Sequence, residues 1–479
     1  MTFDSVRLEP PERAVEGRRS WWLREALAAD PGTACPPLAE EVRADVAVVG
    51  GGYTGMWTAY RLKEADPSAD VVLLEADICG GGPSGRNGGF MYGLWEDLPS
   101  LTGLFGPERA LRLCQTADEC VKDAVQIFED AGIDIWLRRG GHLTVSTSPM
   151  FDAVLDEFLT TYGNNAAVPS DVFVRLSPAE VAERCRSPRF RAGAFNAGGL
   201  TVQPARLARG LRKLLLDRGV RVHEGTPVTA IEPGNLVRLR TPNGAVTAAQ
   251  VVLGLNAWSQ GIAQFRRAII PRASHIILTE PAPDRLREIG WTGGEGLGDF
   301  RATLHYLRTT PDGRIAFGAG TGTSASHVGR RLEEDPSWRR RLEADLCAWF
   351  PEFRGVGVET MWGGPIDVSA HHVPFFGSTW GGNVHFGMGF TGGGVGPTVL
   401  AGKILAALAL GRSDDYTRSA LVGYRPRNFP PEPFLSLGTR LVLAAIVRTD
   451  DAWDRGKRAN PALEFVSHLP RKLGYHLGH

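Results

Sequence analysis

Apolar residues in this chain fall into two kinds of pattern. Val46–Val49 and Val71–Leu74 are short continuous apolar runs, as in strands buried on both faces of a parallel sheet. Longer stretches carry a helical period. In Pro107–Ala131 the residues Leu111, Cys114, Val121, Val125 and Phe128 form one stripe, and Gly132 ends it. Helices are also predicted at Trp21–Ala29, Met56 to about Ala65, Met150–Gly163, Ser177–Arg186 (with Ser177 as cap), Arg206–Arg218, Pro336–Phe350 and Pro397–Leu410. Strands are predicted within Ile135–Ser146, at Val220–His223, Thr226–Ile231, Ile269–Leu278, Leu304–Arg308 and Arg314–Gly318. Val237–Leu239 and Val246–Val252 read as a hairpin around Pro242-Asn243-Gly244, and Thr309–Arg314 (TTPDGR) reads as a turn.

Composition narrows the class. The 479 residues are 43% hydrophobic and 22% charged, ordinary values for a globular protein of two domains or one discontinuous one. Lys+Arg and Asp+Glu both number 53, which argues against a whole-protein role on nucleic acid or an anionic membrane. The six cysteines (Cys35, Cys79, Cys114, Cys120, Cys185, Cys347) make no C-x-x-C pair, so no metal site is expected and a reducing cytoplasm fits. No apolar leader or membrane-length run is present; Leu437–Val447 is apolar but short and reads as a packed helix.

The break after the first apolar run carries chemistry. Gly50, Gly52 and Gly55 stand as G-x-G-x-x-G between a strand and a helix. Such spacing allows a tight turn, a close approach to a pyrophosphate and close helix–strand packing, with phosphate at the helix N-terminus. Glu75 ends the second strand twenty residues past Gly55, where an acid accepts from a ribose. With 59 glycines a chance match is easy, but strand, helix, second strand and acid all fall in place.

Gly80–Phe90 (GGGPSGRNGGF) is too glycine-rich and polar for another strand–helix unit. The run EAD-x-C-GGG-x-SGRNGG after GGGYTG resembles the D-amino acid oxidase/glycine oxidase superfamily of FAD-dependent amine oxidoreductases. Within it, the segment is most similar to the branch holding γ-glutamylputrescine oxidoreductase and proposed aminophosphonate oxidoreductases.

The resemblance implies an α/β (α+β) fold of the glutathione-reductase-like kind. A discontinuous Rossmann-like FAD-binding domain (43–135, 196–262, 358–425) would join an antiparallel-sheet substrate domain (136–195, 263–357). Residues 1–42 and 426–479 would pack on the FAD domain. It implies non-covalent FAD, since Thr360-Met361-Trp362 lacks the cysteine some relatives use. The cofactor contacts carried over are Gly50, Gly52, Tyr53, Thr54, Gly55, Glu75 and Ala76, then Ser84, Gly85, Arg86, Asn87, Gly88 and Gly89. Val228, Asn256, Ala257 and Trp258 follow, and last the loop Gly389, Gly392, Gly393, Gly394 and Val395 before a second helix. In the family that helix start faces the pyrimidine end of the isoalloxazine. Relatives often carry His at the place of Gly393.

The reaction implied is removal of hydride from carbon beside an amine, followed by hydrolysis of the imine, with O2 or another acceptor reoxidising the flavin. Arg308 matches the place of a carboxylate anchor, and a primary amine with an anionic tail is the expected substrate. Tyr306 and Arg308 share a strand face, with His305 turned away. A solvent-facing strand arginine has the same sequence appearance. His275 is a candidate for assisting oxygen reduction, and His371-His372 for bordering the site. Two other readings compete: an NAD(P)H-dependent flavin monooxygenase, although HFGMGFTGGG lacks the usual acid, and a non-catalytic flavoprotein or electron carrier.

Overall fold

The computed structural model describes residues 4–9, 11, 18–163, 165, 168–320, 328–329, 332–333 and 335–476. The continuous apolar runs become the middle of a nine-stranded sheet. Glu41–Val49 runs parallel to Val71–Leu74 on one side and to Gly244–Leu253 on the other. Arg221–His223 extends the parallel part beyond Val71–Leu74, and Val384–Met388 lies along the end of Gly244–Leu253. The hairpin is present, with Thr241 paired to Gly244. The strand expected over Thr226–Ile231 is shorter, Ala230–Glu232.

Strand alternation sends the apolar runs into two cores. Val46, Val48, Val71 and Leu73 pack with helices Tyr53–Ala65, Pro107–Asp130, Pro204–Asp217 and Pro397–Ala409. Ala47, Val49, Val72 and Leu74 pack on the other face with Ile231, Leu239, Ile262 and Phe265. Tyr53–Ala65 and Pro397–Ala409, the two helices that follow glycine loops, touch backbone to backbone. A Cβ on Gly402 would stand 2.7 Å from the Trp57 main chain, so only glycine permits this approach.

A second sheet has eight strands in the order Val358–Ser369, Ile269–Thr279, Ile315–Ala319, His305–Thr309, Gly296–Asp299, His142–Val145, Gly193–Asn196, Val174–Leu176. It is antiparallel except where Gly296–Asp299 runs parallel to His142–Val145. Val358–Ser369, expected in the FAD-binding domain, pairs along its length with Ile269–Thr279 and is the edge of this sheet instead. Its apolar side packs on the helix Pro336–Trp349 through Ile277, Leu307, Phe317 and Trp349.

The C-terminal helix Phe434–Asp454 is fastened at its far end. The buried Arg301 guanidinium reaches Asp451 at 2.8 Å, Asp450 at 3.8 Å and Asp454. Its near end is packed on one side only: Leu435 lies against Ile270, Val368, Ala370 and Phe429, while Phe434, Leu437 and Leu441 are exposed. Among the described residues no helix is long and apolar enough to cross a membrane.

Candidate active site

Between the two sheets lies a cavity of about 940 Å³. That is the upper range for a ligand site, roughly 300–1,000 Å³. One end is built by the first glycine turn. Gly50 has φ +111°, and a Cβ on either Gly50 or Gly55 would overlap a carbonyl oxygen (of Gly254 and Gly50 respectively). These two glycines let the chain fold on itself, while Gly52, Tyr53 and Thr54 present the helix start to the cavity. No side chain of the Gly52 cap covers that start. Glu75 lines the cavity and accepts from Gly51 N–H at 2.6 Å and Asp77 N–H at 2.9 Å. Burial raises its pKa to about 7 against those two hydrogen bonds.

The second glycine-rich segment folds over the first. Ser84 Oγ accepts from Tyr53 N–H at 2.8 Å. Arg86 Nε donates to the Gly81 carbonyl at 2.9 Å and Nη1 to Gly363 at 3.2 Å, and Trp362 Nε1 donates back to the Arg86 carbonyl at 2.8 Å. Asn87 braces the turn by donating to Ser84 O at 2.9 Å and accepting from Gly89 N–H at 2.8 Å.

The third loop precedes the helix Pro397–Ala409, whose start also lacks a side-chain cap. Gly392, Gly393, Gly394 and Val395 line the cavity. Gly393 N–H is turned inward to the Phe390 carbonyl at 3.0 Å. The N–H groups of Gly392, Gly394 and Val395 meet no acceptor among the described residues. Asp367 lies under the loop, accepting from Gly389 N–H at 2.6 Å and Asn256 Nδ2 at 3.1 Å, and burial raises its pKa to about 7. Two helix starts, one with a single N–H taken by Ser84 and one without a side-chain cap, and a glycine-lined slot between them fit the diphosphate and ring of FAD.

The second sheet supplies the facing wall. Tyr306 and Ser274 line the cavity with their hydroxyls hydrogen-bonded to each other. Phe90 packs edge-on against Tyr306 at 5.8 Å and against His142 at 5.4 Å, and Tyr92 lies 5.8 Å from His142. Val228, Ala76, Gly88, Asn256, Trp258, His371 and His372 also line the cavity.

Several expected contacts stand outside the lining. Gly85, Gly89, Ala257 and Gly389 join Gly55 in shaping its wall from behind: Cβ atoms on Gly85 and Gly89 would overlap the carbonyls of Gly80 and Val202. Arg308 shares the sheet face of Tyr306, as expected, but lies one pleat further on. It is buried beyond Gly89, donating to the Val202 carbonyl with its charge 5.5 Å from the Trp22 ring. Burial, then the charge of Arg138, lowers its pKa to about 9. It does not reach the cavity, so the expected anion anchor is not at this position. His275 also stands elsewhere. Ser274 takes the cavity face, and alternation turns His275 to the opposite side near Trp338, where burial lowers its pKa to about 4 despite Asp335. His305 points away from the cavity, to Asp299 at 2.7 Å and Asp345 at 3.2 Å.

Sequence reasoning passed over Phe90, Tyr92, Glu96, His142, Phe158 and Tyr162, all cavity residues. Phe90 ends the second glycine-rich run, His142 lies in a predicted strand, and Phe158 and Tyr162 lie in a predicted helix, but none of these patterns says which side chains face a cavity. The one available signal was the polar and aromatic density of FMYGLWED directly after the second glycine loop.

The comparisons agree with this geometry. Residues 45–408 match the DAO family of FAD-dependent oxidoreductases, and the chain belongs to that family. It is 29% identical over 407 residues to γ-glutamylputrescine oxidoreductase of Escherichia coli, covering 83% of this chain and 89% of that protein. It is 27% identical to the probable oxidoreductase OrdL of Haemophilus influenzae, covering 81% and 88%. Its fold is similar to that of glycine oxidase from Geobacillus kaustophilus, with TM-score 0.65, 19% identity and coverage of 80% and 99%. The protein is thus an FAD-dependent oxidoreductase.

Proposed function

We propose that this chain oxidises an amine at the carbon next to nitrogen. The carbon–hydrogen bond breaks with its electron pair, nitrogen loses a proton, and the resulting imine takes up water to give a carbonyl compound and ammonia or a smaller amine. FAD bound in the slot supplies the two-electron acceptor, with O2 or another acceptor taking the electrons afterwards. The observation that carries this reading is the cavity that joins both helix starts to the wall of Tyr306, Ser274, Phe90 and Tyr92. Phe90 and Tyr306 exclude water from the substrate face, and the Ser274–Tyr306 pair fixes the phenol. Among the described residues no cysteine lines the cavity, which supports non-covalent binding. An anionic tail on the substrate has no anchor in Arg308, and it is not part of this reading.

The test is anaerobic titration of the purified yellow protein with glycine, sarcosine, D-alanine, putrescine and aminoethylphosphonate while the visible flavin band is followed. Bleaching by at least one amine is expected. Bleaching by NADPH and by no amine would replace this reading with that of a monooxygenase.

A further inference from the structure

One wall of the cavity carries a carboxyl group that the cofactor does not explain. Glu96 sits in the short helical turn Trp95–Asp97 and lines the cavity, with Asp97 next to it in the turn. The turn is held from behind: Tyr162 Oη donates to the Glu96 carbonyl at 3.0 Å, and Trp95 Nε1 donates to Asp118. The Glu96 carboxylate takes no part in these bonds. It has no hydrogen bond or ion pair among the described residues, and burial raises its pKa to about 7 with no cation drawing it back.

Two tyrosines, Tyr92 and Tyr162, lie close enough to feel its charge. Phe158 lies 4.7 Å from Tyr162 and 5.5 Å from Phe300, and all three line the cavity with Tyr92. The segments Tyr92–Ser100 and Val154–Tyr162 put no lysine or arginine on this wall. Of the lining arginines, Arg86 is bound to carbonyls in the second glycine segment, and Arg471 comes from the last helix, Pro461–Lys472, after which His476 meets Ser100 at 3.1 Å. The wall is attached to the cofactor slot, because the Tyr92 carbonyl packs directly on Gly396 at the start of the second helix.

A carboxylate without a partner, among aromatic faces, recognises an ammonium group and repels an anion. The amine that reacts must give up its proton before hydride leaves the adjacent carbon, so a lasting ammonium belongs to a second nitrogen. We propose that Glu96 is the specificity residue that holds a distal ammonium group, so that the substrates are diamine-like chains rather than amines with a carboxylate at the far end. This rests on the amine-oxidoreductase reading above.

Putrescine, butylamine and γ-aminobutyrate have equal chain lengths and differ only at the far end. Each is titrated anaerobically into the holoprotein, with flavin bleaching and calorimetric binding as separate readouts. Putrescine is expected to bind roughly tenfold to a hundredfold tighter than butylamine, and γ-aminobutyrate weakest. Glu96→Gln removes that advantage, so that putrescine and butylamine bind alike to the variant, while Glu96→Asp keeps the order of preference; flavin content and melting temperature confirm that both variants fold. A preference for γ-aminobutyrate, or equal weakening of all three by Glu96→Gln, overturns the proposal while the amine reading stands. Bleaching by no amine at all, the wider panel included, overturns both.

Discussion

Ser84 Oγ accepts the backbone N–H of Tyr53 at 2.8 Å, joining two glycine-rich turns 31 positions apart. A helix start leaves its first N–H groups without partners, and this hydroxyl takes one of them and leaves the rest to the cavity. Ser84→Ala removes a hydrogen bond whose net contribution is about 1 kcal/mol. The expected result is FAD bound roughly fivefold more weakly, measured by flavin retention on dilution, with the fold intact by circular dichroism.

Two glycines give opposite expectations. A Cβ at Gly55 overlaps the Gly50 carbonyl, whereas one at Gly393 stands 3.8 Å from its nearest neighbour. Gly55→Ala is expected to yield protein without flavin, and Gly393→Ala protein with normal flavin content. The ratio of visible to ultraviolet absorbance after purification checks both.

His305 sets a pH dependence of stability. Burial lowers its pKa, but Asp299 and Asp345 outweigh burial and raise it from 6.5 to about 9. A raised folded-state pKa stabilises the fold fully below the unfolded value and less as pH climbs through the folded one. Melting temperature is therefore expected to fall between pH 6.5 and about 9. His305→Gln should start lower, because Asp299 is left buried without its partner, and should lose this slope.

Arg301 ties the C-terminal helix to the second sheet. Arg301→Met leaves the buried Asp450 without its cation and Asp454 with Arg189 alone, and losing one side of a buried ion pair costs roughly 3–5 kcal/mol. Limited proteolysis is expected to cut within 434–472 in the variant before it does so in the native chain.

The sequence was most informative where the backbone itself does the work. Gly50 and Gly55 are dictated by close approaches of main chain, so their spacing carries the turn, and apolar runs such as Val46–Val49 carry the parallel sheet because both faces are buried. Long-range packing was not legible. Arg308 and His275 were each placed on a strand correctly, but strand register decides whether such a side chain reaches the cavity, stops a pleat short or faces the other way. Glu96 was invisible for a related reason: its significance is the absence of a neighbouring cation, which only the folded chain shows.

The central claim is tested most directly by counting products. Holoprotein is reduced anaerobically by the amine that bleaches it, and the carbonyl product is quantified per flavin reduced. One carbonyl per flavin, with release of the matching nitrogen compound, is the result this account predicts. Flavin reduction without any carbonyl product, or reduction by NADPH and by no amine, would contradict it.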